Sequence, residues 1–234
     1  MSLVSNAREL MRCTHQGLLS TLSLAQPGFP FGSIVPFVLN HEAQPIVLLS
    51  RLAEHTKNMS AHRNVCLFVH EVSSDPPSAA RLSLLGFACR IEDPSPIKSR
   101  YFNFFPSTVD YWETMDFDFW KIVPTAIRTI QGFAQMGWLT PAEYTPPESL
   151  IALNEGALLD EIKRTLENVL FRSNATTHPA PQNPVQLLGV DCEGFDWRFS
   201  ASGPIQRTPF NEPLRDAASI TRAVINHLTS APMP

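Results

Sequence analysis

The sequence predicts a mainly β fold with α+β character: an antiparallel barrel in the first part of the chain, then a small α/β unit. Three observations carry this. Strand-like segments bounded by turn signals dominate as far as about residue 140, and the helices among them are few and short. Asn64–His70 is apolar on both alternating faces, Val65, Leu67 and Val69 against Cys66 and Phe68, as in a closed sheet covered outside by helices or a second subunit. From about Thr145, helical spacing takes over from strand alternation. The expected domains are 1–144 and 145–234, and 234 residues can bury a sizeable core.

In order, a short amphipathic helix spans about Val4 to Cys13. Gln16–Leu24 is a strand with Leu18, Ser20, Leu22 and Leu24 on one face and Leu19 and Thr21 on the other. Pro27-Gly28 turns the chain, and Phe31–Leu39 pairs back as a hairpin with Pro36 at an edge or bulge. Ile46 to Leu49 is a four-residue apolar run suited to a strand buried on both faces. A helix follows from Leu52, with Leu52, Thr56 and Met59 on one stripe and Ser50 as N-cap. Arg81–Ile91 is a long strand whose alternation shifts phase at Gly86, the mark of a β-bulge. Ser95–Phe105 and Ser107–Trp112 are short aromatic-rich helices; their rings suit packing better than a substrate pocket. Phe117–Ile122 and Ala126–Met136 return to strand character. Thr145-Pro146-Pro147-Glu148 has the form of a capping box opening a helix from Leu150 to Phe171, broken near Asn154-Glu155-Gly156. A polar, proline-rich loop (173–184), three short strands (185–190, 194–199, 203–207) and a helix from about Pro213 to Leu228 complete the chain.

The stretch Ile46–Asn58 is the candidate site. A strand that runs directly into a helix leaves backbone N–H groups converging on one point, where the helix dipole favours an anion. Ser50, Arg51, His55, Thr56 and Lys57 surround that point with hydroxyls and cationic donors, a set suited to phosphate. An ordinary solvated helix start is the competing interpretation.

Composition excludes much else. A formal charge of −4 gives no chain-wide field for nucleic acid. Cys13, Cys66, Cys89 and Cys192 form no CxxC pair and read as small buried thiols of a reducing compartment. Arg8, Glu9 and Arg12 interrupt any N-terminal signal sequence, and no apolar run reaches the ~18 residues of a membrane span, so a cytoplasmic protein with no membrane partner is expected. No P-loop, GxGxxG, GxSxG or HExxH occurs. No metal site is expected: His55 and His62 lie two helical turns apart, and His15, His41, His70 and His178 have no partners at ligand spacing. The Asp116/Asp118 pair reads as solvated.

Gly17-Leu18…Thr21, Ile34-Val35-Pro36-Phe37, Leu48-Leu49-Ser50-Arg51-Leu52…His55-Thr56-Lys57-Asn58, Ala80-Arg81-Leu82…Gly86 and Gly132-Phe133 occur in this order. Together they resemble the pyridoxamine 5′-phosphate oxidase-like split-barrel flavoproteins, in the haem-utilisation branch with an extra C-terminal α/β domain; Gly189-Val190-Asp191…Gly194-Phe195-Asp196-Trp197-Arg198 resembles that domain. The resemblance implies an FMN-binding split barrel, a homodimer with the cofactor groove at its interface, and an oxidoreductase acting on a small molecule. It implies that the flavin phosphate lies near Ser50, Arg51, Thr56 and Lys57, with His55 and Asn58 as further cofactor contacts. Ser33, Ile34, Val35 and Pro36 would run beside the ring, and Arg81 would approach the phosphate or ring edge. Flavin chemistry needs no protein acid or base, so no catalytic residue is named.

Three departures qualify this. The branch's His-Met-Asn-x-Asp-His segment is here Ala152-Leu153-Asn154-Glu155-Gly156-Ala157. Gly-Phe-Gly becomes Gly132-Phe133-Ala134, and the substrate-phosphate Arg/His pattern of vitamin B6 oxidation is missing. Two further readings stand beside the flavoprotein: a haem-binding or haem-degrading protein on the same barrel, with His227 as a candidate ligand, and a non-enzymatic dimeric module.

Overall fold

The computed structural model describes residues 2–75, 78–132, 135–148, 150–174 and 185–230. Pro76-Pro77 in the loop before Arg81, Phe133-Ala134 of the glycine motif and most of the loop expected at 173–184 lie outside the described residues. The chain divides into two units, Met1–Pro146 and Pro147–Pro234.

The first unit opens with α1 (Leu3–Cys13), started by a reciprocal Ser2–Ser5 capping box. Ala7 and Met11 point into the core, and the Arg8 guanidinium donates to the Tyr144 carbonyl at 3.2 Å. β1 (Gln16–Leu22) and β2 (Pro30–Pro36) form the expected hairpin, its turn using Gly28 at φ 88°, a left-handed conformation natural to glycine. Next come β3 (Val38–Leu39), β4 (Pro45–Ser50), α2 (Glu54–Ala61), β5 (Asn64–His70) and β6 (Arg81–Arg90). After α3 (Ser95–Phe104) and α4 (Val109–Thr114) the unit closes with β7 (Phe117–Ile130), β8 (Met136–Leu139) and α5 (Pro141–Tyr144). Every ladder is antiparallel, in the order β2-β1-β5-β6-β7-β4-β3, with β8 added to β7. The sheet curls into a split barrel around Leu19, Val47, Leu67, Leu84, Ile122 and Ile127, each fully or almost fully buried. Burial of each such side chain contributes ~1.5–3 kcal/mol, so these positions hold the barrel closed.

Several expectations shift. β6 keeps its phase throughout, with Leu82, Leu84, Gly86 and Ala88 all inward and Phe87 outward. The extra residue sits on the facing strand: Leu85 pairs with Ala126 and Gly86 with Pro124, so Thr125 is skipped in the register and its hydroxyl reaches β6, donating to the Leu85 carbonyl at 3.2 Å. Pro124 has no N–H to lose there, which makes the bulge cheap on that side. Gly86 is still essential to it, because a Cβ would collide with the Val123 carbonyl oxygen. The two expected strands at 117–122 and 126–136 are therefore one bulged strand ending at Ile130. The proline capping box lies five residues earlier than expected: Thr140 caps α5 and Glu143 reaches back to it, whereas Thr145 is that helix's C-cap.

The second unit pairs β9 (Gln186–Asp191), β10 (Gly194–Arg198) and β11 (Gln206–Pro209) in the order β11-β10-β9. α6 (Glu155–Asn174), preceded by a 3-10 turn at Leu150–Leu153, and α7 (Ala217–Ser230) complete it. Ile162, Val190, Phe195, Ile220 and Val224 form its core. Inside it Arg207 is clamped by Asp191 at 2.9 Å and Asp196 at 3.1 Å, all three side chains buried. Two residues of the family-like C-terminal segment are thus structural partners of one arginine. Among the described residues no helix is long and apolar enough to cross a membrane.

Candidate functional site

The strand-to-helix turn forms where the sequence places it, but its cap differs. The N-cap of α2 is Ala53, with no side-chain bond; Ser50 Oγ instead accepts the Leu52 N–H at 3.2 Å, one turn early. Leu52 is 74% exposed and does not join the buried stripe of Thr56 and Met59. The reason is the tight Ala53 N–H to Ser50 carbonyl contact at 3.2 Å, which makes a separate turn of residues 50–53 before the helix can start.

The cationic donors of this turn have partners within the chain. Arg51 makes a bidentate pair with Asp118, Nε–Oδ2 at 2.8 Å and Nη2–Oδ1 at 2.9 Å, while Arg90 joins the same carboxylate at 3.0 Å. Asp118 is therefore a buried hub rather than the solvated acid the sequence suggested; Asp116, with 70% of its side chain exposed, does stay in solvent. Burial raises the Asp118 carboxyl pKa, but the hydrogen bonds and charges of Arg51 and Arg90 outweigh that and hold it below the usual range. Lys57 lies 4.0 Å from Glu54, a carboxylate that already occupies the first turn of α2 and satisfies its dipole.

The remaining groups divide. The Asn58 side chain, fully buried, donates to Thr21 Oγ1 at 3.0 Å and accepts the Leu24 N–H at 2.9 Å, tying α2 to β1. His55 Nδ1 lies 3.1 Å from Ser33 Oγ, and burial pushes its imidazole below the ordinary histidine pKa. The Thr56 hydroxyl is buried with no hydrogen-bond partner. Arg81 is remote within one chain: it pairs with Ile130 at one end of β7, while Ser50 pairs with Phe117 at the other, about 40 Å away along the strand at ~3.3 Å per residue. Of the eleven expected positions, the turn thus gathers Ser33, Ser50, Arg51, His55, Thr56, Lys57 and Asn58, while Val35 is buried in the barrel.

Ile34 and Pro36 belong to a different concavity. A groove of about 960 Å³ runs between α1 and the outer ends of β2, β1 and β5. Leu18, Ile34, Phe68 and Val72 give it an apolar wall, and His15, His70, Glu9, Glu71 and the thiol of Cys13 supply its ionisable groups. Its size lies near the upper end of ordinary small-molecule clefts, ~300–1,000 Å³. No lysine or arginine lines it, so it does not suit a phosphate. Sequence spacing could not find this pair of histidines, because only the β1–β5 ladder, Leu18 opposite Phe68, brings residues 15 and 70 together.

His227 is half-buried rather than on the surface. Its ring lies 5.6 Å from Phe195 and 6.4 Å from Trp197, and its Nε2 is 3.3 Å from Thr208 Oγ1. Thr208 Oγ1 also receives the Trp197 indole N–H at 3.1 Å, so the His227 ring is held in a contact with Thr208 and Trp197 rather than standing free.

Comparison with known proteins places these features. The family profile described as CREG, beta-barrel matches residues 2–146. The chain is 26% identical over 247 residues to the chloroplastic heme oxygenase HOZ of Arabidopsis thaliana, covering 99% of this chain and 74% of that protein. Its fold is similar to a protein of unknown function from Agrobacterium tumefaciens (TM-score 0.73, 18% identity, 94% of each chain). It is also similar to a heme binding protein from Mycobacterium smegmatis (TM-score 0.57, 20% identity, 99% of each chain).

Proposed function

We propose that this member of the CREG β-barrel family, to which the chain belongs through residues 2–146, binds haem and serves its oxidative breakdown. The observation that carries this reading is the groove beside His15 and His70: apolar on one wall, furnished with imidazoles, and large enough for a macrocycle. What the groove offers a planar, metal-bearing ring is its apolar wall and two imidazoles; its charged side chains, Glu9 and Glu71, are acidic, so the ring's own carboxylates would have to face solvent. The name of the plant relative agrees with it. Bound haem would supply both the iron and the ring that is oxidised, with dioxygen and an external reductant as co-reactants. The chain's own part is to hold the ring against Leu18, Ile34 and Phe68 and to exclude water from that face.

The outer face of the barrel supports a homodimer as the assembled form. Trp138 is 61% exposed and Phe87 is also open, so a second copy covering these side chains would bury apolar surface that water now contacts.

FMN at the α2 turn is the second reading, favoured by one observation: the buried Thr56 hydroxyl has no partner, as in a site completed by an acceptor. Against it, Arg51 and Lys57 face carboxylates of their own chain. Parallel titrations with haemin and FMN separate the two. The haem reading expects a Soret band that shifts from that of free haemin and saturates, with little quenching of flavin fluorescence. Flavin quenching without a Soret shift would reverse the assignment.

A further inference from the structure

Resting on the haem-binding reading, the geometry assigns the iron ligand to His70, through Nε2. His70 is the last residue of β5, exposed, on the outer face where the groove opens. Its Nδ1 lies 2.9 Å from the Glu71 carbonyl oxygen. A carbonyl can only accept, so Nδ1 carries the hydrogen and Nε2 holds the lone pair. That carbonyl is itself fixed, because the Glu71 N–H donates to the Ala80 carbonyl at 2.8 Å. The ring also lies 6.0 Å from Phe68 and within 29° of parallel to it, which restrains its tilt. Metal-binding imidazoles have this arrangement: one nitrogen anchored on an acceptor that sets the tautomer, the other free to coordinate.

Four other histidines of the described residues are placed less well. His15 packs its ring against Phe104, with centroids 5.2 Å apart. His55 faces Ser33, and His227 has Nε2 engaged by Thr208. His62 is the C-cap of α2, outside the groove lining.

The test is haemin titration of the full chain and of His70→Ala, His70→Tyr, His15→Ala and His62→Ala, followed by absorption spectroscopy, with circular dichroism to confirm folding. The wild type is expected to show an imidazole-ligated spectrum. In His70→Ala the Soret maximum returns toward that of water-ligated haemin, affinity falls at least about tenfold, and added imidazole restores the wild-type spectrum. His70→Tyr gains the charge-transfer absorption of phenolate-ligated iron, a change that no purely structural role of residue 70 produces. His62→Ala keeps the wild-type spectrum. A His70→Ala spectrum identical to wild type, or loss of the imidazole signature in His15→Ala instead, overturns the assignment while leaving haem binding intact. A wild type that gives no Soret shift overturns haem binding itself.

Discussion

The Asp118 carboxylate accepts two N–H groups of Arg51 in parallel, at 2.8 and 2.9 Å, across 67 positions of sequence. The pair joins the end of β4 to the start of β7 and engages Nε and Nη2 of the turn's arginine within the chain, although half of that side chain stays exposed. Asp118→Ala frees both Arg51 and Arg90. FMN affinity measured by fluorescence quenching is expected to rise about tenfold over wild type, equivalent to ~1.4 kcal/mol, and the double variant with Arg51→Ala is expected to lose that gain. Equal affinities for wild type and Asp118→Ala would show that Arg51 is not masked by this pair.

Asn58 joins α2 to the barrel through two buried hydrogen bonds. Asn58→Ala leaves the Leu24 N–H without its acceptor, and an unsatisfied buried donor together with the lost bond costs about 2–3 kcal/mol. Urea denaturation should show a lower midpoint with an unchanged slope. A shift too small to resolve would mean that the loop at Leu24 rearranges to reach water.

Gly86 faces the Val123 carbonyl at the bulge. Gly86→Ala places a methyl group against rigid backbone, and β6 and β7 must separate to admit it, a loss of about 2–4 kcal/mol. Gly156→Ala is the natural control, because a Cβ there meets nothing within 4 Å. Thermal melts of the two variants should diverge by several degrees.

His55 introduces a pH dependence with a definite sign. Burial lowers its folded-state pKa, so above the unfolded value of ~6.5 the residue is neutral in both states and stability is at its full level. As pH falls through ~6.5 the unfolded chain takes up the proton first, and stability declines until the folded pKa is passed. The melting temperature of wild type should therefore fall between pH 7.5 and 5.5 by more than that of His55→Gln. Parallel profiles would exclude His55 as the source.

Much of the barrel was legible because its strands carry their signal locally. Asn64–His70 appears in the structure with the same bounds, and the apolar run from Ile46 to Leu49 lies within β4. The errors arise where two local solutions compete. Ser50 and the turn ahead of Ala53 both stop β4, and the hydrogen bonds of residues 50–53 settle in favour of the turn. Thr140-Pro141 and Thr145-Pro146 both offer a capping box, and only the first has Glu143 at the third position of a short helix. The phase of β6 is ambiguous in the sequence because Leu85, Phe87 and Cys89 are as apolar as the inward set, and apolar character alone does not say which face is inside. At the site, the chemistry of the turn was visible but its neutralisation was not. Asp118 reads as a surface acid until the sheet brings Arg51 and Arg90 to it, and His15 and His70 read as isolated until β1 and β5 pair.

Trp197 has a practical consequence. Three of the four tryptophans, Trp112, Trp120 and Trp138, belong to the first unit, and Trp197 alone reports on the second. Its indole donates to Thr208 beside the His227 ring. A chain whose other three tryptophans are replaced by phenylalanine would carry a single emitter, so the loosening of the smaller unit could be watched separately from that of the barrel.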